Sequence, residues 1–152
     1  MDSLANVYGL ELLKHDDISQ VLIYQTGCIG CEIIDDCDCQ NKSKISILLW
    51  QDSGRSYMKR IDCCGMQTNE LTDLKGIWRE LKGNKRQIFK SEFKWDIEEV
   101  HHSFYEIQLL EDNSIQKVQM ADYYFNDDNK YQSWNSKQAA RKFQLLIQSL
   151  LD

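Results

Sequence analysis

The chain has 152 residues and a formal net charge of −6. That length is the usual size of one domain and can bury a core without disulfide or metal staples, so a single domain is expected over residues 1–152. With 42% apolar and 28% charged residues, the composition excludes a disordered or fibrous chain. No run of about 18 apolar residues occurs, which excludes a membrane-spanning helix, and the acidic balance argues against nucleic-acid binding through the general field of the domain.

The first 18 residues are ambiguous, since Leu4, Val7 and Tyr8 fit a helical turn while Leu10 and Leu12 alternate. Residues 21–25 (VLIYQ) read as a buried strand running straight into the first cysteines. Residues 32–43 read as an irregular acidic loop. Residues 45–51 and 57–62 are strands, with Asp52, Ser53, Gly54 and Arg55 supplying hairpin-turn chemistry between them.

A helix follows. Thr68 is its expected N-cap, and Glu70 and Asp73 sit near the positive end of its dipole. Leu71, Leu74, Ile77, Trp78 and Leu81 make one apolar face, and Gly83 is the expected stop. Residues 87–95 read as a further strand. Residues 103–110 and 115–124 form a second hairpin about residues 111–114. The last helix starts near Asn135 or Ser136, with Ala139, Ala140, Phe143, Leu146, Ile147 and Leu150 as its buried stripe. Hairpins dominate this order. It predicts an α+β fold: a mainly antiparallel sheet with two helices packed on one face.

All six cysteines lie between Cys28 and Cys64, spaced as Cys28-x-x-Cys31, Cys37-x-Cys39 and Cys63-Cys64. Three chemistries compete. Zinc needs four tetrahedral ligands with sulfur at about 2.3 Å. Cys28 and Cys31 would supply one pair, with the rest drawn from Cys37 or Cys39 and from Cys63 or Cys64. An even cysteine count also fits a disulfide framework that pins the acidic loop to the hairpin, which requires an oxidising compartment.

The third chemistry is thiol redox. A strand leading into Cys-x-x-Cys resembles the start of the thioredoxin-like arrangement over about ten residues. Three features depart from that family. No long helix pattern follows Cys31, and the chain has no proline to supply the family's cis-proline. Glu32, Asp35, Asp36 and Asp38 crowd the cluster, with no Lys or Arg between Cys28 and Cys39. Such a field raises a thiol pKa, whereas a nucleophilic thiolate needs it lowered. The bland alternative is that Cys63 and Cys64 are small core residues.

Other constellations are weaker. Lys75, Arg79, Lys82, Lys85, Arg86, Lys90 and Lys94 form a basic run interleaved with Trp78, Phe89, Phe93 and Trp95. That mixture can hold single-stranded nucleic acid, but cations near a helix C-terminus and an apolar helix face explain it more simply; a protein partner with an acidic face fits better. His101 and His102 would point apart on a strand, and His15 is isolated. Residues 126–129 (NDDN) lack the glycine and distal glutamate of a calcium loop and read as a solvated turn.

The N-terminal residues carry no basic region followed by an apolar stretch. A chain that natively begins at Met1 is expected in the cytoplasm, and one whose signal peptide was replaced is expected to be exported. The reading that follows is a non-enzymatic binding or interaction domain. Its structural cysteine cluster (Cys28, Cys31, Cys37, Cys39, Cys63 and Cys64) would be bridged or zinc-bound. The alternative is a metal-handling or thiol-redox protein acting through the Cys28-x-x-Cys31 loop.

Overall fold

A computed structural model describes residues 4–31, 44–67 and 69–152. The expected acidic loop, Cys37, Cys39 and the Thr68 cap lie outside the described residues. Helix α1 (Leu4–Leu12) is followed by β1 (Gln20–Ile29), β2 (Ser46–Asp52), β3 (Arg55–Asp62), and the short β4 (Gly65–Met66) and β5 (Glu70–Leu71). Then come α2 (Lys75–Phe89), β6 (His102–Glu111), β7 (Ser114–Ala121), a 3₁₀ turn (Asp122–Phe125), α3 (Gln132–Ser136) and α4 (Ala139–Leu151). The described strands form one seven-stranded antiparallel sheet in the order β4-β3-β2-β1-β6-β7, with β5 also pairing β3.

The expected α+β architecture is what forms: a hairpin-built antiparallel sheet with α2 and α4 packed together against it. The reason lies in the central strands. Successive strand residues face opposite sides, so Leu22 and Tyr24 join Ile47, Leu49, Ile107 and Leu109 on the side of α2 and α4. Val21 and Ile23 join Leu48, Trp50 and Leu110 on the other side, under α1. Unbroken apolar runs such as VLIY and ILLW are what a strand buried on both faces requires.

Helix α1 settles the ambiguity of the first residues. Its small residues, Ala5 and Gly9, are the buried ones. A Cβ added to Gly9 would stand 2.6 Å from Leu110 Cδ1, so glycine lets the helix backbone approach the sheet. The β2–β3 turn is the expected one: Ser53 and Gly54 both take positive φ, 53° and 80°, the pattern of a two-residue hairpin turn.

Expectations fail in two segments, besides the last helix, which starts at Ala139 and not near Asn135 or Ser136. Helix α2 does not stop at Gly83. It continues through a kink at Asn84, where φ is −130°, because Ile88 is fully buried in the core shared with Ile77 and Leu81; tertiary burial overrides the local stop signal. The helix also starts later than expected, at Lys75, whose backbone N–H donates to the Asp73 carboxylate at 3.1 Å.

The second failure is the strand expected over residues 87–95. Its first part is the end of α2, and the rest is held by side chains in place of a ladder. Buried Asn135 bonds both backbone groups of Lys94: Lys94 N–H donates to Asn135 Oδ1 at 2.8 Å, and Asn135 Nδ2 donates to the Lys94 carbonyl at 2.7 Å. The same amide also donates to the Tyr124 carbonyl at 2.9 Å. Buried Asn129 reinforces the junction through the same two carbonyls. The expected solvated turn over 126–129 is exposed at three positions, but its last residue is structural.

Asn135→Leu leaves the Lys94 N–H without its acceptor and takes one of two donors from each of the Lys94 and Tyr124 carbonyls, so it should lower unfolding free energy by about 1–3 kcal/mol. Asn126→Ala, at an exposed position, should change it by no more than about 0.5 kcal/mol. Urea denaturation of both variants checks this; equal midpoints would contradict the assignment of Asn135.

Candidate functional site

The sheet register collects the described cysteines at one end. Gln25, near the end of β1, pairs with Ser46 at the start of β2, and Ser46 pairs with Ile61 at the end of β3. Cys28 and Cys31 therefore leave the sheet at the same end as the Cys63–Cys64 turn, which joins β3 to β4. One strand separates the two groups, which sets β1 and β3 roughly 10 Å apart. The chain departs this end at Cys31 and re-enters it at Lys44.

Cys28 and Cys31 stand at disulfide distance from each other. Both are exposed. Strand β1 runs through Cys28 into Ile29, further than its apolar run suggests, because β6 continues to pair with it: Cys28 lies opposite Ser103 and Ile29 opposite His102. The turn then needs Gly30. Its φ is +73°, and a Cβ there would lie 2.3 Å from the Val100 carbonyl oxygen. His101 Nδ1 contacts the Gly30 carbonyl, and His102 Nδ1 contacts the Glu99 carbonyl at 2.8 Å. The two histidines thus do different jobs. His101 sits against the Cys-x-x-Cys turn, while His102 meets the edge of the Tyr123 ring at 5.0 Å.

Cys63 and Cys64 are exposed, not core. The Cys64 N–H donates to Asp62 Oδ1 at 2.9 Å and Gly65 takes a φ of +131°, so a tight turn and not a strand presents them. Neither is free, and their own sulfurs stand 3.9 Å apart. No described cysteine is free. Among the described residues, no group of three or more His, Cys, Asp or Glu is arranged to hold a metal ion.

The basic run is divided. Lys85 pairs with Glu111 across to the second hairpin. Arg86 and Lys90 line an open groove of about 640 Å³ with Lys137, beside the start of α4. The aromatics between them are used internally. Trp78 Nε1 donates to Ser56 Oγ at 3.1 Å, Phe93 stacks on Tyr124 at 5.6 Å, and Trp95 stacks on the same ring at 4.9 Å.

A polar chain that the sequence pattern did not reveal runs between α4 and β1. Arg141 Nη1 donates to Gln144 Oε1 at 2.7 Å, Gln144 Nε2 to Tyr24 Oη at 3.0 Å, and Tyr24 Oη to Gln148 Oε1 at 3.0 Å. Burial pushes the Tyr24 hydroxyl up to about 12, partly offset by the Gln144 hydrogen bond. Burial and the neighbouring Tyr123 push Tyr124 up to about 12 as well.

Comparison with family models, with curated proteins and with solved structures finds no match to this chain.

Two predictions follow from these geometries. Gly30→Ala places a side chain at positive φ and against the Val100 carbonyl, and should cost more than about 2 kcal/mol; a loss under about 0.5 kcal/mol in urea denaturation would contradict the turn. Tyr24 and Tyr124 favour the neutral form in the fold relative to an ordinary tyrosine near 10. Their contribution is therefore complete below about pH 10 and is lost as pH rises towards 12. Tyrosinate absorbance followed together with circular dichroism should show these two hydroxyls ionising late, with the loss of structure. Ionisation of every tyrosine near pH 10 in an intact fold would contradict it.

Proposed function

We propose that this chain is a non-enzymatic interaction domain whose six cysteines form a structural disulfide framework at one end of the sheet. The observation that carries the reading is that Cys28 and Cys31 stand at disulfide distance and that none of the four described cysteines, all at that same end, is free. Cys28 and Cys31 account for each other. Cys63 and Cys64, with sulfurs 3.9 Å apart, need two other partners, and Cys37 and Cys39 are the cysteines that remain. In this reading two bridges tie the β1–β2 connection to the β3–β4 turn, and the third closes the turn at the end of β1.

Such bridges persist in oxidising surroundings, which makes an exported chain the natural context. Bridged sulfurs have no thiolate to give to zinc, so a metal site would require reduction first. The open groove lined by Arg86, Lys90 and Lys137 supports an interaction role with an acidic protein partner, through charge complementarity.

A second reading, thiol exchange at Cys28–Cys31, is favoured by the exposure of both residues, since accessible bridges are the labile ones. The acidic residues 32, 35, 36 and 38 oppose it. The two readings separate by experiment. If purified protein turns over disulfide or peroxide substrates and Cys28→Ser abolishes this, the structural reading fails.

The framework also predicts an asymmetry in stability. A bridge closing only two intervening residues removes little chain entropy, so Cys28→Ser with Cys31→Ser should cost about 2 kcal/mol. Bridges from Cys63 and Cys64 to residues 37 and 39 close longer loops and should cost roughly 3 kcal/mol each when removed. Equal losses in thermal or urea unfolding, or no loss for the Cys63→Ser, Cys64→Ser pair, would contradict the framework.

A further inference from the structure

A cavity of about 360 Å³ opens between the ends of β1 and β6 and the side of α4. Thr26, Ser103, Tyr105, Arg141, Gln144 and Leu145 contribute to its lining. Among the described residues no carboxylate lines it, on a chain that is acidic as a whole. The one charged group among its described lining residues is the Arg141 guanidinium.

Arg141 is held in place yet keeps donors to spare. Its guanidinium lies 3.9 Å from the centroid of the Phe125 ring, and one nitrogen is committed to Gln144. Gln144 is in turn fixed by Tyr24, so the arginine is oriented from two sides before any ligand arrives. Among the described residues Arg141 enters no ion pair. A guanidinium has five N–H donors, and the structure assigns a partner to one of them.

The burial that pushes the arginine pKa down, with Tyr105 and Tyr24 opposing, is the cost an anion would offset. The hydroxyls of Ser103 and Tyr105 add two further donors on the β6 wall. Leu145, about half exposed, gives the cavity an apolar side. Donors converging on a concave, half-apolar space are the chemistry of oxyanion recognition, and arginine meets carboxylate or phosphate with a two-pronged fork.

We propose that this cavity is a binding site for the oxyanion group of a small molecule, a carboxylate or a phosphate. Arg141 is its charged anchor, and Ser103 and Tyr105 are its hydroxyl donors. Ser103 pairs across the sheet with Cys28, but among the described residues no cysteine lines the cavity.

The test uses the full chain with its disulfides intact and two probes, sodium benzoate and inorganic phosphate, at constant ionic strength set with chloride. Binding is followed by amide shifts in two-dimensional NMR. We expect saturable shifts at residues 26, 103, 141 and 144 from at least one probe, with affinity at least tenfold lower in Arg141→Gln. Tyr105→Phe, which removes only a hydroxyl, should weaken the same probe about threefold or more and serves if Arg141→Gln does not fold. Tighter benzoate binding assigns an organic carboxylate with an apolar body against Leu145; tighter phosphate binding assigns a phosphoryl group. Saturation by neither probe, or equal affinity in the wild type and both variants, overturns the proposal.

Discussion

Strand β1 is paired along half of its length on one edge and all of it on the other, and its central residues are covered on both faces. Its residues 21–25 are bonded to β2 on one side, and all ten of its residues pair with β6 on the other. Alternate side chains feed two separate cores, one under α1 and one under α2 and α4. Every other element takes its position from this strand. A one-residue slip would exchange the two cores and place Tyr24 under α1, breaking its hydrogen bonds to Gln144 and Gln148. The buried tyrosine thus fixes register as well as filling space: its hydroxyl has partners only when it points towards α4.

The same strand delivers the chemistry. Because β6 pairs with β1 as far as Ile29, the Cys28–Cys31 turn begins on a rigid edge and closes against the Val100 carbonyl and His101. The sheet order then sets the Cys63–Cys64 turn two strands away at the same end. Local turn geometry, with Gly30 and Gly65 at positive φ, aims both cysteine pairs out of the sheet. A connection that starts and ends at this place gains most from being tied there, because cross-links act on the entropy of the loops they close. Three residues upstream of Cys28 the register carries a different site. Gln25 ends the pairing with β2, and beyond it Thr26 and Gly27 line the Arg141 cavity with residues of β6 and α4.

Much of this was legible in the sequence where one physical signal dominated. The alternating and doubly buried strands, the Ser53-Gly54 turn and the Ala140, Phe143, Ile147 stripe of α4 all follow from periodicity and turn chemistry. Helix α1 was obscure because it inverts the usual rule. It buries Ala5 and Gly9 and leaves Leu4, Val7 and Leu10 about half exposed, so its apolar pattern does not mark the packed side. Gly83 misled because a glycine stop is a weak local preference set against the burial of Ile88. The 90–95 segment misled because Asn135, some forty residues away, satisfies its backbone; no local pattern encodes that. The cysteine cluster was visible as spacing, but the choice between zinc and bridges depends on which sulfurs meet in space. The Arg141 cavity draws on residues from β1, β6 and α4 that share no motif.

The claim on which the account rests is that the six cysteines are paired, Cys28 with Cys31 and the other four between residues 37, 39, 63 and 64. Peptide mapping by mass spectrometry under non-reducing conditions, with the intact mass before and after reduction, tests it most directly. The account predicts an intact mass lighter than the fully reduced chain by the hydrogens of all six cysteines, a peptide containing a closed Cys28–Cys31 ring, and peptides that join residues 37 and 39 to residues 63 and 64. Six free thiols in the native protein, or a bridge from Cys28 or Cys31 to the 63–64 turn, would contradict it.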